Sequence, residues 1–304
     1  VQVIFKGEEG IDEGGVQKEF FQLIIRQTFD LNYGMFTYEE DTRCFWFSST
    51  ALENAREFNL IGKVLGLAIY NSVILDVHFP MVVYRKLMGI APTLEDLKAC
   101  QPALGRGLQQ LLDWKDLDVE EVFSRTFTVD YEEFGVVKSH PLKTGGDLVN
   151  VTNENRVEYV NLYVRWVLET SIALQQFTAF ADGFHQVCGG AALRMFIAEE
   201  LELLICGSPA LDFKALEDNA STEDGYSLHN PQPYIPDRVR SDRSPIRGLG
   251  SMTFVISRNG PDSDRLPTAH TCFNHLLLPE YTDKEKLRRC LMTAINNSEG
   301  FGLM

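Results

Sequence analysis

The sequence predicts an α+β chain in two parts, a large, mainly helical one followed by a small mixed α/β one. Helix-like spacing dominates from about residue 55 to 205. A clean strand-like alternation, "SMTFVISRNG", follows from residue 251. Between them "CGSP" supplies Gly and Ser at Gly207 to Pro209, a bendable boundary of the kind that joins domains.

The opening "VQVIF" alternates like a strand and runs into the turn-like "EEGIDEGG". Asp12 and Glu13 beside Gly14 and Gly15 argue against a phosphate cradle and for a tight turn. "VQKEFFQLIIRQTF" reads as a helix, and "RCFWFSS" (43–49) as a short buried strand. The most apolar stretch, "NLIGKVLGLAIYNSVILDV" (59–77), carries Lys63, Asn71 and Asp76. A membrane span needs about 20 apolar residues without such interruptions, so a core helix ended by Pro80 is expected. In "VTNENRVEYVNLYVRWVLE", Thr152 or Asn153 is positioned to cap a helix. Its stripe is Val160, Tyr163, Val164 and Val167, with Tyr159 and Trp166 off it. That pattern allows either a helix buried on two sides or an aromatic surface for a partner, the former weighted more.

The Pro- and Arg-rich segment 226–250 reads as extended loop. In the strand after it Met252, Phe254 and Ile256 share one face and Thr253, Val255 and Ser257 the other, and Asn259-Gly260-Pro261 ends it. "EYTDKEKLRRCLMTAIN" is a helix with a capping box from Thr282 to Glu285 and an apolar face of Leu287, Leu291, Ala294 and Ile295. Cys290 lies beside that face and is read as a packing residue.

The composition, 44% hydrophobic and 23% charged over 304 residues, is that of an ordinary globular chain. A net charge of −15 opposes phosphate backbones and anionic membrane surfaces and favours a basic protein partner. The six cysteines include no Cys-x-x-Cys pair and the N-terminus has no signal-like apolar run, so free thiols in the cytosol or nucleus are expected.

Cys272, in "LPTAHTCFNHLLLP", admits three readings. On one continuous strand His270 and Cys272 point one way and His275 the other, and no second paired motif completes a metal site. No metal or cofactor is expected. A buried structural thiol is the ordinary role of a lone cysteine, but Thr268, His270, Thr271 and Asn274 give this one polar surroundings. A nucleophile is the third reading. Exchange from an already activated thioester needs only two sulfurs brought together and an available thiolate, which suits a small mobile domain.

These residues, with "DEGGVQKEFF", "GLAIYNSVILDVHFP", "NENRVEYVNLY", "ELELLICGS", "LPTAHTCFNHLLLPEY" and the terminal "GFGLM", resemble the HECT family of ubiquitin ligases over nearly the whole chain. The resemblance implies the catalytic C-terminal part of a longer ligase. It implies a bilobal fold: a large N-lobe over 1–207, containing an E2-binding subdomain at about 104–165, and a small C-lobe over 208–304. Gly207 and Ser208 form the short hinge. Cys272 matches the nucleophile that takes ubiquitin from a ubiquitin-conjugating enzyme (E2) as a thioester and passes it to a substrate lysine. His270 and Thr271 take supporting roles, and Phe301 positions the transfer to lysine.

The resemblance places Leu104, Leu108 and Trp114 of "LGRGLQQLLDW", Val122 of "VEEVF", and Tyr159 and Tyr163 in the E2 groove. Asp113, Asp116, Asp118, Glu120 and Glu121 either steer a basic E2 face or form a solvated acidic loop. In one respect the chain departs from the family. Its segment 227–240 is shorter by several helical turns and lacks a Phe-Trp helix that packs in the C-lobe. Besides an active transferase, an impaired variant that only docks E2 therefore stays open, with a cysteine peptidase a distant third.

Overall fold

The computed structural model of the protein describes residues 3–5, 15–48, 51–52, 54–115, 118–133, 135–170, 173–209, 211–223, 248–270 and 273–297. The chain divides into two compact units, one of Ile24–Ser72 and Val77–Ile205, the other of Val1–Leu23, Val73–Asp76 and Cys206–Met304. Helix α1 (Gly15–Thr28) begins at Gly15 and buries Phe21 and Ile25. Val3 to Phe5 take no strand conformation, contrary to the alternation of "VQVIF".

In the first unit, β1 (Phe36–Glu39) and β2 (Cys44–Phe47) form an antiparallel hairpin with Phe36 opposite Phe47. Phe29, Phe36, Phe47, Phe58, Phe79 and Phe180 form one aromatic cluster, with neighbouring ring centroids 4.4–6.1 Å apart. Such contacts add about 0.5–1.5 kcal/mol per pair beyond burial.

Helix α2 (Ala55–Tyr70) is capped by Asn54, whose side chain accepts from the Arg56 N–H. It ends at Tyr70, with Asn71 as C-cap and Ser72 in the left-handed region, ten residues before Pro80. The apolar run continues, but its period changes to two: Val73, Leu75, Val77 and Phe79 are buried and Asp76 is exposed. Pro80 instead precedes α3 (Met81–Leu87), a position where its missing N–H costs nothing. Helix α8 (Ala173–Cys188) lies against α2 at backbone contact. A Cβ on Gly62 would stand 1.9 Å from the Phe180 carbonyl oxygen, and one on Gly183 1.9 Å from that of Asn59.

A second core in this unit joins α3 to α4 (Leu94–Cys100), α5 (Pro102–Asp113), α6 (Val119–Phe123) and α7 (Arg156–Arg165), around Leu97, Leu108, Leu111, Phe127 and Val160. Helix α4 starts with a capping box in which Thr93 and Asp96 bond reciprocally. Neither Thr152 nor Asn153 caps α7. Its N-cap is Asn155, which accepts from the Thr152 N–H at 2.7 Å, whereas Asn153 accepts from the Val119 N–H at 3.3 Å and ties the start of α6. A polar antiparallel ribbon, β3 (Thr128–Glu133) and β4 (Val136–Pro141), interrupts the helices that the spacing predicts. Past α7 the chain widens into a π-helical turn, Trp166–Thr170, and after α8 it forms α9 (Ala198–Cys206).

The other unit contains α10 (Phe213–Asn219) and a four-stranded sheet ordered β5-β6-β8-β7. Its strands are β5 (Ala220–Glu223), β6 (Phe254–Arg258), β7 (Thr268–His270) and β8 (His275–Leu278). β6 runs parallel to β5 and β8, and β7 antiparallel to β8. Being internal, β6 is buried on both faces at Ile256 and Ser257. Helix α11 (Lys284–Asn296) is capped by Asp283, one residue after the expected Thr282, through the Lys286 N–H at 2.8 Å. Cys290 and Leu291 are its buried residues. The loop expected at 226–250 and the shortened 227–240 segment lie outside the described residues up to 247, and Leu249–Ser251 forms a short 3-10 turn. No helix among the described residues is long and apolar enough to cross a membrane.

Candidate functional site

Cys272 and Thr271 lie outside the described residues, as does Phe301, but the residues flanking the cysteine do not. His270 ends β7 and His275 begins β8, and the two are register partners. Directly opposed residues of an antiparallel pair share a face. The single-strand reading, in which His270 and His275 point apart, is therefore replaced by one in which the chain reverses between them. Their rings meet edge to face with centroids 6.0 Å apart. Asn274 adopts φ 49°, a left-handed conformation that Asn tolerates, and Phe273 is 63% exposed.

Beneath this turn lies a pair the sequence reading missed. Ser257, fully buried on β6, stands 2.6 Å from His275 Nε2. The hydrogen bond fixes the ring of His275 and, through it, one end of the reversal. The alternation of β6 offered a signal, since Ser257 is a hydroxyl in a strand of otherwise apolar and terminal residues. Among the described residues no group of three or more His, Cys, Asp or Glu is arranged to hold a metal ion.

The six residues assigned to the groove belong to one cluster except Val122, which is 42% exposed on α6. Leu104, Trp114 and Tyr163 are half-buried at its margin, while Leu108 is 6% exposed within the core. Tyr159, which the resemblance places in the groove, is a core residue at 3% exposure, in keeping with a helix buried on two sides rather than an aromatic surface. Its ring contacts those of Phe127 and Tyr163, and its hydroxyl donates to the Thr128 carbonyl at 3.5 Å. Burial pushes the Tyr159 phenol up to about 12, and it raises that of Tyr163 as well. Trp114 stands edge-on to Phe123 at 5.5 Å, and Arg156 donates to the Trp114 carbonyl at 2.6 Å, locking the end of α5 to α7. Of the acids near this margin, Asp118 caps α6 and Glu120 accepts from Asn150 at 2.7 Å, while Asp116 lies outside the described residues.

These observations define an α+β protein with a candidate nucleophilic cysteine placed, in sequence, between two paired strands, and a separate helical unit with an aromatic margin. The model of the HECT-domain (ubiquitin-transferase) family matches residues 22–235 and 240–304, and the chain belongs to that family. It is similar to the probable E3 ubiquitin-protein ligase HECTD2 of Mus musculus, 44% identical over 334 aligned positions that take in 100% of this chain and 43% of the relative. It is also similar to the probable E3 ubiquitin-protein ligase HERC4 of Homo sapiens, 42% identical over 100% of this chain and 30% of the relative. A third relative, the probable E3 ubiquitin-protein ligase mug30 of Schizosaccharomyces pombe, is 34% identical over 100% and 43%. The chain thus spans less than half the length of these curated relatives.

Proposed function

We propose that this chain is the catalytic region of a ubiquitin ligase, accepting ubiquitin from an E2 as a thioester on Cys272 and transferring it to a substrate lysine. The observation that carries this reading is the match to the ubiquitin-transferase family across residues 240–304, which takes in "HTCFN". In the forward step the Cys272 thiolate attacks the thioester carbonyl, the E2 thiolate leaves, and the acyl group changes sulfur at little net energy. In the second step a lysine amine displaces the Cys272 thiolate and forms an isopeptide. His270 and Thr271 support the cysteine and Phe301 orients the lysine. The large lobe is 1–207 and the small one 208–304, with Gly207 and Ser208 as hinge. Gly207 has φ 72°, a conformation suited to glycine.

For the E2, Val122 and the half-buried Leu104, Trp114 and Tyr163 supply the contact, and Leu108 and Tyr159 form the floor beneath it. The test is a non-reducing gel with charged E2, ubiquitin and this chain. A reductant-sensitive adduct that disappears in Cys272→Ala supports the reading, and an equal adduct on Cys272→Ala refutes it. Deleting 301–304 is expected to spare the thioester and abolish isopeptide formation.

A second reading, a module that docks E2 without transfer, is favoured by one observation. The HECTD2 alignment has 334 positions against 304 residues here, so at least 30 have no counterpart, and the family match breaks between 235 and 240. Under that reading E2 binds with an affinity sensitive to Val122→Asp, and no adduct forms.

A further inference from the structure

An open hollow of about 530 Å³ lies in the helical unit, and none of the groove residues line it. Lys86 of α3, Phe177 of α8 and Glu169 of the π-helical turn line it, with Ile90, Ala181 and Asp182 at its sides. Turns of the π type interrupt regular hydrogen bonding and often mark functional positions. Here the turn presents the Leu168 carbonyl, which accepts from Lys86 Nζ. The same Nζ stands 3.9 Å from the centroid of the Phe177 ring.

We propose that Lys86 is a nucleophilic amine that accepts an acyl group from a short-chain acyl thioester entering this hollow. Acylation gives up the cation–π contact with Phe177, but the rest of the site suits the product. The amide nitrogen keeps one N–H to donate to Leu168, and a short acyl chain lies along Phe177, Ile90 and Ala181. The volume admits such a chain. Glu169 and Asp182 disfavour an anionic occupant. In the step itself the Nζ lone pair attacks the carbonyl carbon and the carbon–sulfur bond breaks. The thiolate leaves with the bonding electrons, and Nζ passes its extra proton to Glu169 or water. This assignment is independent of the ubiquitin reading.

Burial lowers Lys86 to about 8, and the nearby charge of Glu169 raises it in part. Arg165 on the preceding turn is engaged with Glu169 at 3.3 Å, and Asp182 faces the hollow from α8. Near neutral pH Lys86 therefore holds a larger share of free amine than an ordinary lysine.

The experiment treats the whole chain with S-acetyl-N-acetylcysteamine over pH 6.5–10.5 and follows each lysine by peptide-mapping mass spectrometry. Lys86 is expected to acetylate roughly ten-fold faster at pH 7.5 than the exposed Lys115 and Lys214, its weaker basicity offsetting part of its larger free-amine fraction. Its rate is expected to reach half-maximum near pH 8. In Glu169→Gln, checked for an unchanged melting transition, that midpoint moves lower, because a charge that holds the proton has gone. Acetylation of Lys86 no faster than that of Lys115, or a rate still rising steeply at pH 10, overturns the proposal. A midpoint unmoved or raised in Glu169→Gln overturns it also.

Discussion

Gly62 of α2 lies directly under the Phe180 carbonyl of α8, where a methyl group would stand 1.9 Å from the oxygen. No rotamer relieves that clash, because the backbone of α2 fixes the Cβ and the oxygen belongs to the backbone of α8. Replacing Gly62 by Ala must part the helices that carry Phe58 and Phe180. The expected loss is about 3 kcal/mol by denaturant titration, with Gly183→Ala, facing the Asn59 carbonyl, close behind. Gly107→Ala on α5, where nothing lies within 4 Å, is expected to stabilise by about 0.5–1 kcal/mol. Equal effects at Gly62 and Gly107 would sink the close-approach argument.

Asp96 is 5% exposed and accepts from the Thr93 N–H at 2.8 Å, the Thr93 hydroxyl at 2.7 Å and Arg85 Nη1 at 3.1 Å. It joins the start of α4 to the end of α3. Asp96→Ala strands all three donors, and a loss of about 2–3 kcal/mol in thermal or chemical unfolding is expected. A loss below about 0.5 kcal/mol would show that water replaces the carboxylate there.

Ser257→Ala leaves one ring nitrogen of His275 without its buried partner. The expected cost is about 1 kcal/mol in stability. The ring resonances of His275, followed by NMR, should shift while those of His140 stay in place. Unmoved His275 resonances would contradict the hydrogen bond.

Tyr159 gives a pH test of its own burial. Its folded-state value is raised from 10.0 to about 12, so the unfolded chain loses this proton first. The stability it contributes is complete below pH 10 and declines as pH rises toward 12. Tyr159→Phe removes that decline. The variant's melting temperature should therefore gain on the parent's between pH 10 and 12, and a constant gap would place the hydroxyl in water.

Where periodicity met a one-sided environment, the sequence was readable. α1 and α11 show their buried and half-buried apolar residues at helical spacing. The 59–77 run misled because apolarity was continuous while its period was not. Val73, Leu75, Val77 and Phe79 already alternate, and Asn71-Ser72 already offers a stop. The ribbon β3–β4 was missed for the opposite reason, since all six residues of β4 are exposed and no core face imposes an alternation. Around the candidate cysteine the residue types were legible but their pairing was not. That His270 opposes His275 depends on a reversal only the sheet order reveals. Tyr159 sits off the simplest stripe of α7 yet is buried, because Phe127 comes from a loop to cover it.

The exposed ribbon has a colloidal consequence. β4 has β3 as its partner within a two-stranded sheet, and its Val136 and Val137 are 58% and 72% exposed. Such a strip is a template onto which another copy's strand adds at high protein concentration. Lys138 and the terminal Pro141 are residues of the kind that oppose such addition, a charge and a missing N–H on the exposed strand.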